Sequence, residues 1–283
     1  MSTALFCGLT TIDVTQRVAK VPQANQKIIS EQTLLDVGGP AANAARVAAA
    51  LGVPARLVTL LGDTPLARLA LEKLFSEGIE VIDLAADAEF PVSTVFVDEL
   101  GQRTVVSRNN PQRKFRNPDV SILDDVAILE IDGHLPQLQA LFAHECNKIG
   151  VPVVFDGGSW KPNTDEFLDQ VSHAIISQDF ICPGCTSEET FDYLQNFGFA
   201  LLAQSMGEKP VRAVTAQQEV MIHIPSVDVK DTLGAGDVLH GAFTAFLPQA
   251  SNPLTALREA IAFASKSTKY HGVLGWLEDE VGL

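Results

Sequence analysis

The 283-residue sequence has no apolar run that approaches the roughly 20 residues of a membrane-spanning helix. Its N-terminus lacks the basic segment of a signal peptide, so a cytoplasmic location is expected. Basic residues are also scarce, since 20 Lys and Arg stand against 35 Asp and Glu and give a formal net charge of −15. Because such a chain repels phosphate backbones and anionic lipids, neither nucleic acid nor a membrane is an expected partner.

Cysteine is equally sparse, with four residues that form no disulfide framework. The Cys182-Pro183-Gly184-Cys185 motif is the exception, because a Cys-x-x-Cys motif at the start of a helix can lower the pKa of a thiol. The sequence does not divide into a separate redox domain around this motif, and the further ligands of a zinc site are absent at motif spacing. An incidental pair is favoured, with a redox function as the alternative.

Short apolar strands alternate with helical stretches along the chain, and 46% of the residues are hydrophobic. This alternation predicts an α/β fold, a three-layer arrangement with a mostly parallel sheet and helices on both faces. We expect one domain over residues 1–283. Strands are predicted at 4–8, 55–61, 79–84, 127–131, 151–155, 180–182 and 200–204, and helices at 41–51, 66–77 and 256–270.

Four segments instead alternate polar and apolar residues, which is typical of a sheet with one wet face. They are 14–18, 27–37, 93–97 and 102–108, the last two joined by a turn at 98–101. We expect them to form a small β lid from about 14–37 and 91–108, beside the main sheet. An antiparallel extension of the main sheet is the alternative.

The run Asp231-Thr232-Leu233-Gly234-Ala235-Gly236-Asp237 carries the clearest chemistry. Small residues let a ligand approach the backbone, and the apolar stripe that follows predicts a helix with unpaired first amides. With the helix dipole, Gly234, Ala235 and Gly236 would hold an anion. Asp237 is better placed to take a proton from a hydroxyl that attacks this anion. The run predicts phosphoryl transfer to an alcohol, and the alternative is a helix-capping aspartate.

A second run, Gly38-Gly39-Pro40-Ala41-Ala42-Asn43, leads into an alanine-rich helix. The paired glycines let backbone amides touch a ligand, and Asn43 offers both a donor and an acceptor to hydroxyl groups. Asp13 follows the first strand, at the sheet edge where ligands of α/β folds bind. These residues together predict a site for a sugar or a similar polyol.

The two runs together resemble the two signatures of the ribokinase-like, phosphofructokinase-B-type sugar kinases. The resemblance covers nearly the whole chain in length, motif order, early β lid and later α/β core. Segments 91–106 and 129–134 are most similar to the ketohexokinase and sulfofructose-kinase branches. The family implies transfer of the γ-phosphate of ATP to a sugar, with Mg²⁺ as the metal, and lids that often pair in a homodimer.

The resemblance also assigns roles residue by residue. It implies that Asp237 is the catalytic base and that Gly234, Ala235 and Gly236 form the anion hole. It places Asp13, Gly38, Gly39 and Asn43 against the sugar, with Glu130 near them. It implies that Ser205 and Gly207 meet the ATP phosphates together with Gly234 and Gly236, and that Asp231 is a ligand of a monovalent cation.

The sequence departs from the family pattern at three places, one of which is the segment Lys269-Tyr270-His271-Gly272, a poor match to the adenine-side loop of the family. Leu233 replaces a polar residue that often contributes to the cation site, which leaves the monovalent cation open. The Asn-x-x-Glu segment associated with magnesium has no clear counterpart, and Glu188 is the nearest candidate for a contact through water. His240, three residues after Asp237, is expected to face solvent or a helix neighbour.

The predicted function is therefore an ATP-dependent sugar kinase, an enzyme with a neutral ketohexose as the expected substrate. Lys27 and Arg108 on the lid could instead hold an anionic sugar, and a nucleoside is a further alternative. A non-catalytic sugar- or nucleotide-binding regulator is the rival class. A dinucleotide-dependent oxidoreductase fails because Gly8-Leu9-Thr10-Thr11 stands where the Gly-x-Gly-x-x-Gly loop is required.

Overall fold

The computed structural model describes residues 2–87, 89–99, 102–109 and 113–279 of the chain. Its strands, in chain order, are β1 (Thr3–Cys7), β2 (Thr11–Arg17), β3 (Gln32–Gly38), β4 (Ala55–Thr59), β5 (Glu80–Asp83), β6 (Val92–Val97), β7 (Arg103–Arg108), β8 (Val126–Ile131), β9 (Val153–Gly157), β10 (His173–Ser177), β11 (Leu201–Met206), β12 (Lys209–Val214) and β13 (Glu219–Ile222). Its α-helices are α1 (Pro40–Ala50), α2 (Pro65–Ser76), α3 (Pro136–Lys148), α4 (Ser187–Gln195), α5 (Ala235–Phe246) and α6 (Pro253–Ser267).

Nine strands form the main sheet in the order β13-β12-β11-β10-β9-β8-β1-β4-β5. Neighbours from β11 to β5 are parallel, whereas β12 and β13 extend the sheet in antiparallel fashion. The predicted mostly parallel α/β architecture is confirmed. Among the described helices, none is both long and apolar enough to cross a membrane.

Helices cover both faces of the main sheet because side chains of the buried strands alternate in direction. In β1, Ala4 and Phe6 pack into one hydrophobic core with residues of α1, α2, α5 and α6. Leu5 and Cys7 of the same strand pack into a second core with residues of α3 and α4. The predicted three layers are therefore present, with an alanine-rich α1 that allows close helix packing on the first face.

The polar-apolar segments form a separate four-stranded sheet in the order β3-β2-β6-β7, which is called the lid sheet below. Strand β2 pairs with β6 in parallel and with β3 in antiparallel fashion, and β6 pairs with β7 in antiparallel fashion. This rules out an extension of the main sheet. The boundary of one strand was wrong, since β3 begins at Gln32 and Lys27 lies in the preceding loop. Leu100 and Gly101 of the predicted hairpin turn lie outside the described residues.

Two expectations about the main sheet were also wrong. Residues 180–182 form no strand, and β10 lies before them at His173–Ser177. The apolar triplet Phe-Ile-Cys attracted the prediction, whereas in β10 an apolar run of the same length lies between the polar end residues His173 and Ser177. The last two strands, β12 and β13, were missed because their polar residues, in a half-exposed hairpin, dilute the apolar signal.

Candidate active site

Two helix N-termini and several strand ends meet at one edge of the main sheet. Helix α1 starts after the glycine pair and α5 starts after the Gly-Ala-Gly turn. The Asn43 side chain of α1 donates a hydrogen bond from Nδ2 to Oδ2 of Asp237 in α5, over 2.6 Å. Residues separated by 194 positions in sequence are thereby joined, as the two predicted signatures required.

The turn before α5 depends on glycine at position 234. Gly234 is left-handed, with φ of 73°, and a Cβ atom there would lie 2.4 Å from the Val273 side chain. The amide of Ala235 donates to the carbonyl of Thr232 over 3.2 Å, so this amide is already engaged in the turn. A Cβ atom on Gly236 would meet only open space, so a ligand has room to approach the backbone at this point. An anion here would also gain from the positive end of the α5 dipole.

Asp237 lies in the first turn of α5 and is partly accessible from the cleft. Burial of the carboxyl raises its pKa to about 7, and the negative charge of Asp156 acts in the same direction. The hydrogen bond from Asn43 and the nearby His240 oppose this rise in the pKa. A carboxyl with a pKa near neutrality is well matched to accepting a proton at physiological pH.

Asp13 and the glycine pair form the opposite wall of the cleft. A Cβ atom on Gly38 would lie 2.1 Å from Oδ2 of Asp13, so the carboxylate fits against a glycine and no larger residue. Gly39 has φ of 96°, and a Cβ there would lie 2.3 Å from the Leu9 carbonyl oxygen. Thr11 donates to Asp13 over 2.6 Å. Burial raises the pKa of Asp13, although the hydrogen bonds from Thr11 and Ser93 lower it.

Glu130 does not line the cleft as expected, because its side chain is completely buried in β8. Among the described residues neither of its carboxyl oxygens has a hydrogen-bond partner, and burial raises its pKa well above the usual value. The acid at the strand end is Asp132, two residues later. Its Oδ2 accepts from the amides of Leu9, over 2.8 Å, and Ala41, over 3.2 Å, and so joins β1 to the start of α1.

His240 is buried and faces a neighbour in its own helix, which is one of the two expected environments. Its Nδ1 lies 2.7 Å from the carbonyl oxygen of Gly236 and 3.4 Å from Oδ2 of Asp156. Its Nε2 lies 3.0 Å from the Ile175 carbonyl oxygen. The ring therefore braces the first turn of α5 against the ends of β9 and β10.

The two basic residues expected to hold an anionic sugar, Lys27 and Arg108, do not share the face of the lid sheet that carries Asp13. Lys27 is an exposed loop residue. Arg108 pairs with Glu89 over 3.3 Å and, by strand alternation, lies on the sheet face opposite to Asp13. Arg103 shares the face of Asp13, and its Nη2 donates to Oγ1 of Thr232 over 3.1 Å. The lid sheet thus contacts the loop that precedes α5.

The residues assigned to the ATP side lie on two further loops and a helix start. Ser205 is the second-last residue of β11. Gly207, with φ of 64°, turns the chain into β12, and a Cβ atom at this position would meet only open space. Asp231 accepts from the amides of Leu233, over 2.8 Å, and Gly272, over 3.1 Å. Because both carboxyl oxygens are engaged with backbone amides, Asp231 organises this loop in the structure.

The described residues offer no ready-made cage for a metal ion. They contain no group of three or more His, Cys, Asp or Glu side chains arranged to hold one. Glu188 is exposed in the first turn of α4, where Thr186 and Glu189 form a capping box. A magnesium ion here would be held mainly by nucleotide phosphates and water, which is the usual coordination of Mg²⁺ at phosphoryl-transfer sites.

The cysteine motif takes no part in the cleft. Cys182 and Cys185 are both free thiols, and Cys182 is buried. Burial is the largest influence on Cys182 and raises the pKa of its thiol, which disfavours the reactive thiolate.

Sequence reasoning did not find three groups that hold the site together: Arg46, Asp132 and Asp156. Arg46 reads as an isolated charge in an alanine-rich helix, yet only 3% of its side chain is exposed. Its partners are 10 and 31 residues away in sequence, at Asp36 and Glu77. A lone arginine on an otherwise apolar helix was the available signal, because a charge in such a position requires buried partners.

Comparisons with known proteins agree with this geometry. A model of the pfkB family of carbohydrate kinases matches residues 1–279. A ribokinase from Arabidopsis thaliana is 24% identical over 307 residues, covering 96% of this chain and 77% of the relative. An ATP-dependent ribose-1-phosphate kinase from Halopiger xanaduensis is 25% identical over 263 residues, covering 87% and 84%. The structure of Arabidopsis thaliana ribokinase complexed with ribose and ATP has a TM-score of 0.78 at 20% identity, covering 96% and 94%, which shows a shared fold.

A phosphotransferase that acts on an alcohol group is the class that this fold and site define. The chain belongs to the pfkB family of carbohydrate kinases, whose model it matches over nearly its whole length. These three similarities do not single out the ketohexokinase or sulfofructose-kinase branch.

Proposed function

We propose that the protein transfers the γ-phosphate of ATP to a hydroxyl of a small neutral sugar, with Asp237 as the general base. The observation that carries this proposal is the position of Asp237, whose carboxyl has a pKa of about 7 and adjoins the open backbone of Gly236. A hydroxyl held against Asp237 would face a phosphoryl group at the start of α5. Positioning and charge stabilisation then supply most of the rate enhancement, as in phosphoryl transfer generally.

In this proposal the sugar occupies the space between Asp13, Asn43 and Asp237. Asp13 accepts hydrogen bonds from sugar hydroxyls, and the backbone at Gly38 and Gly39 approaches the sugar closely. ATP lies on the side of Ser205 and Gly207, with magnesium offsetting the charge of its phosphates. The lid sheet covers the sugar and excludes water, so that the nucleotide is not hydrolysed.

A neutral sugar is favoured because, of the two residues expected to bind an anion, Lys27 lies outside the lid sheet and Arg108 lies on the face away from Asp13. Lys27 is exposed in a loop, and Arg108 pairs with Glu89 on the opposite face of the sheet. Within the neutral sugars we retain a ketohexose such as fructose as the expected substrate. Ribose is the competing substrate, since one relative of this chain is named a ribokinase.

The test is ADP release from ATP and magnesium with fructose, ribose, adenosine, fructose 6-phosphate and ribose 1-phosphate. We expect Asp237→Asn to lower kcat by ~10²–10⁴-fold, the usual contribution of a positioned general base, with ATP binding retained. Asp165→Asn, which alters an exposed aspartate in the turn Thr164–Glu166, is the control. If kcat/KM for the anionic sugars exceeds that for the neutral sugars by more than ~10-fold, the substrate is an anionic sugar and not a neutral one. Binding of sugar and ATP without any turnover would favour the rival class, a non-catalytic regulator that binds sugars or nucleotides.

A further inference from the structure

Arg46 is a buried guanidinium at the centre of a hydrogen-bond network beside the cleft. Its Nε and Nη2 donate to the Glu77 carboxylate over 2.7 and 3.0 Å, and Nη2 also lies 3.1 Å from both Asp36 oxygens. Its Nη1 donates to the Val37 carbonyl over 2.9 Å and to Oδ1 of Asn43 over 3.2 Å. Every nitrogen of this guanidinium therefore has an acceptor, as a buried charge requires.

The contact with Asn43 decides which way the Asn43 amide faces. A guanidinium can only donate hydrogen bonds, so the oxygen of the Asn43 side chain must be the atom that faces Arg46. The amide nitrogen then faces Oδ2 of Asp237, to which it donates over 2.6 Å. If the amide were reversed, its oxygen would meet the Asp237 carboxylate and repel it. Arg46 thus makes Asn43 a donor to Asp237.

The same guanidinium also attaches to the lid sheet. Asp36 and Val37 are neighbours in β3, and Asp36 pairs with Asp13 across β2 and β3. Glu77 lies at the C-terminal end of α2 and belongs to the α/β body, so it anchors the arginine from the other side. The side chain of Asp36 is half exposed, whereas those of Arg46 and Glu77 are largely buried. The contact of Arg46 with Asp36 in the lid sheet is therefore weaker than its contact with Glu77 in the α/β body.

We propose that Arg46 is a positioning residue that orients Asn43 toward Asp237 and couples this orientation to strand β3 of the lid sheet. Arg46 does not touch the reacting atoms; it acts through Asn43. The kinetic part of this inference rests on the proposed function, whereas the orientation of Asn43 can be measured without turnover.

The first test compares Arg46→Gln with Arg56→Gln. Arg56 is the matched control, because it also bridges a carboxylate and backbone, binding Glu80 over 2.8 Å and the Ile122 carbonyl over 2.7 Å. Asp237 is faced by Asp156 from β9, His240 from α5, Asp13 from β2 and the Asn43 donor. Loss of an oriented donor raises the pKa of Asp237. The acid limb of the pH profile, where kcat/KM falls as the pH decreases, should therefore move up by about one pH unit in Arg46→Gln and stay in place in Arg56→Gln. Its kcat should fall ~10-fold or more.

Two further variants separate orientation from charge and from stability. Arg46→Lys keeps the positive charge but lacks the planar fork that reaches four groups, so its acid limb should stay displaced. Asp36→Asn removes the ionic contact of Arg46 with the lid, while the Val37 carbonyl and Glu77 still hold the guanidinium, so it should raise the sugar KM and leave the acid limb unchanged. Wild-type behaviour of Arg46→Lys would overturn the orienting role, and an unchanged KM in Asp36→Asn would overturn the coupling to the lid.

The last readout is the side-chain amide signal of Asn43 in NMR spectra of the whole protein without substrates. We expect the hydrogen bonded to Asp237 to shift as Asp237 titrates, and to lose this shift in Arg46→Gln and in Arg46→Lys. An unchanged titration in both variants would overturn the proposal, even if their activity and melting temperature fell together. Because this measurement needs no turnover, it stands even if no sugar is phosphorylated and the proposed function fails.

Discussion

At the scale of single residues, Asp237 is subject to opposing influences. Burial and the charge of Asp156 raise its pKa, while the Asn43 hydrogen bond and His240 lower it. The outcome, a pKa of about 7, leaves a substantial fraction of both protonation states near neutrality. This balance suits a group that must accept a proton in the reaction and release it afterwards.

The pH dependence of the reaction should therefore report on this carboxyl. The base is active only when it is deprotonated, so kcat/KM should fall as the pH decreases through about 7, the pKa of Asp237 in the free protein. Well below that value the decrease should approach about tenfold per pH unit. Initial rates in overlapping buffers check this, with the coupling enzymes in excess at each pH. A profile that stays flat down to about pH 5 would be inconsistent with Asp237 as the base.

Single residues were predictable where local sequence determines their role. The glycines at 38 and 234 mark close approaches that no Cβ could fill, and Asp237 follows its turn directly. Glu130 and Asp132 are equally buried, and they differ in their hydrogen bonds, because in the part of the chain that the structure describes backbone amides donate to Asp132 and none to Glu130; the sequence does not show this difference. Arg46 was not predictable because its role exists only after β3, α1 and α2 are packed together.

At the scale of elements, the lid sheet contacts two loops of the α/β body, at Thr232 and His271, through two arginines. Arg103 of β7 donates to Thr232, and Arg17 of β2 lies 3.1 Å from Nδ1 of His271. Strand pairing places both arginines on the same sheet face as Asp13. The lid sheet therefore reaches across the cleft from Asp13 to the loop before α5.

Arg103→Ala should weaken this spanning contact without disturbing the fold. We expect the sugar KM to rise about 2- to 10-fold, the usual effect of losing one exposed hydrogen bond. Arg108→Ala is the matched control, since it lies on the same strand but points to the opposite face. Equal effects of the two variants on KM, measured at saturating ATP, would show that the Thr232 contact does not hold the lid.

The elements of the fold were largely predictable from periodicity and turn residues. Helix α1 and strands β1, β4 and β8 were expected within a few residues of their bounds. The separate lid sheet followed from the change to polar-apolar alternation. The antiparallel strands β12 and β13 could not be predicted, because they are defined by pairing between strands rather than by their own apolar content.

At the scale of the whole molecule, the lid sheet leaves apolar side chains uncovered on the face opposite to Asp13. Strand pairing sets Leu35, Val14, Thr94 and Val106 in one row, and Leu35 and Val106 are 58% and 63% exposed. We propose that a second copy covers this row in a homodimer. Light scattering should then give twice the 30.4-kDa chain mass.

The dimer has a direct test in one pair of variants. Val106→Asp should shift the protein to the monomer mass, because it places a charge in the covered row. Ile149→Asp, at an equally exposed apolar residue after α3, should leave the mass unchanged. A monomer in the wild type, or a dimer that survives Val106→Asp, would argue against an interface at this row.

The buried acids at the sheet edge also make folding a proton-uptake reaction. Glu130, Asp156, Asp13 and Asp237 all have raised pKa values in the folded state, so these four groups bind protons more tightly in the native chain than in the unfolded chain. Their contribution to stability is present at acid pH and is lost as the pH rises through this window. Glu130→Gln should therefore raise the melting temperature increasingly from pH 5 to pH 8, unlike the exposed Glu208→Gln. The acid groups that suit the site to proton transfer therefore make the native state more stable in mildly acidic than in alkaline solution.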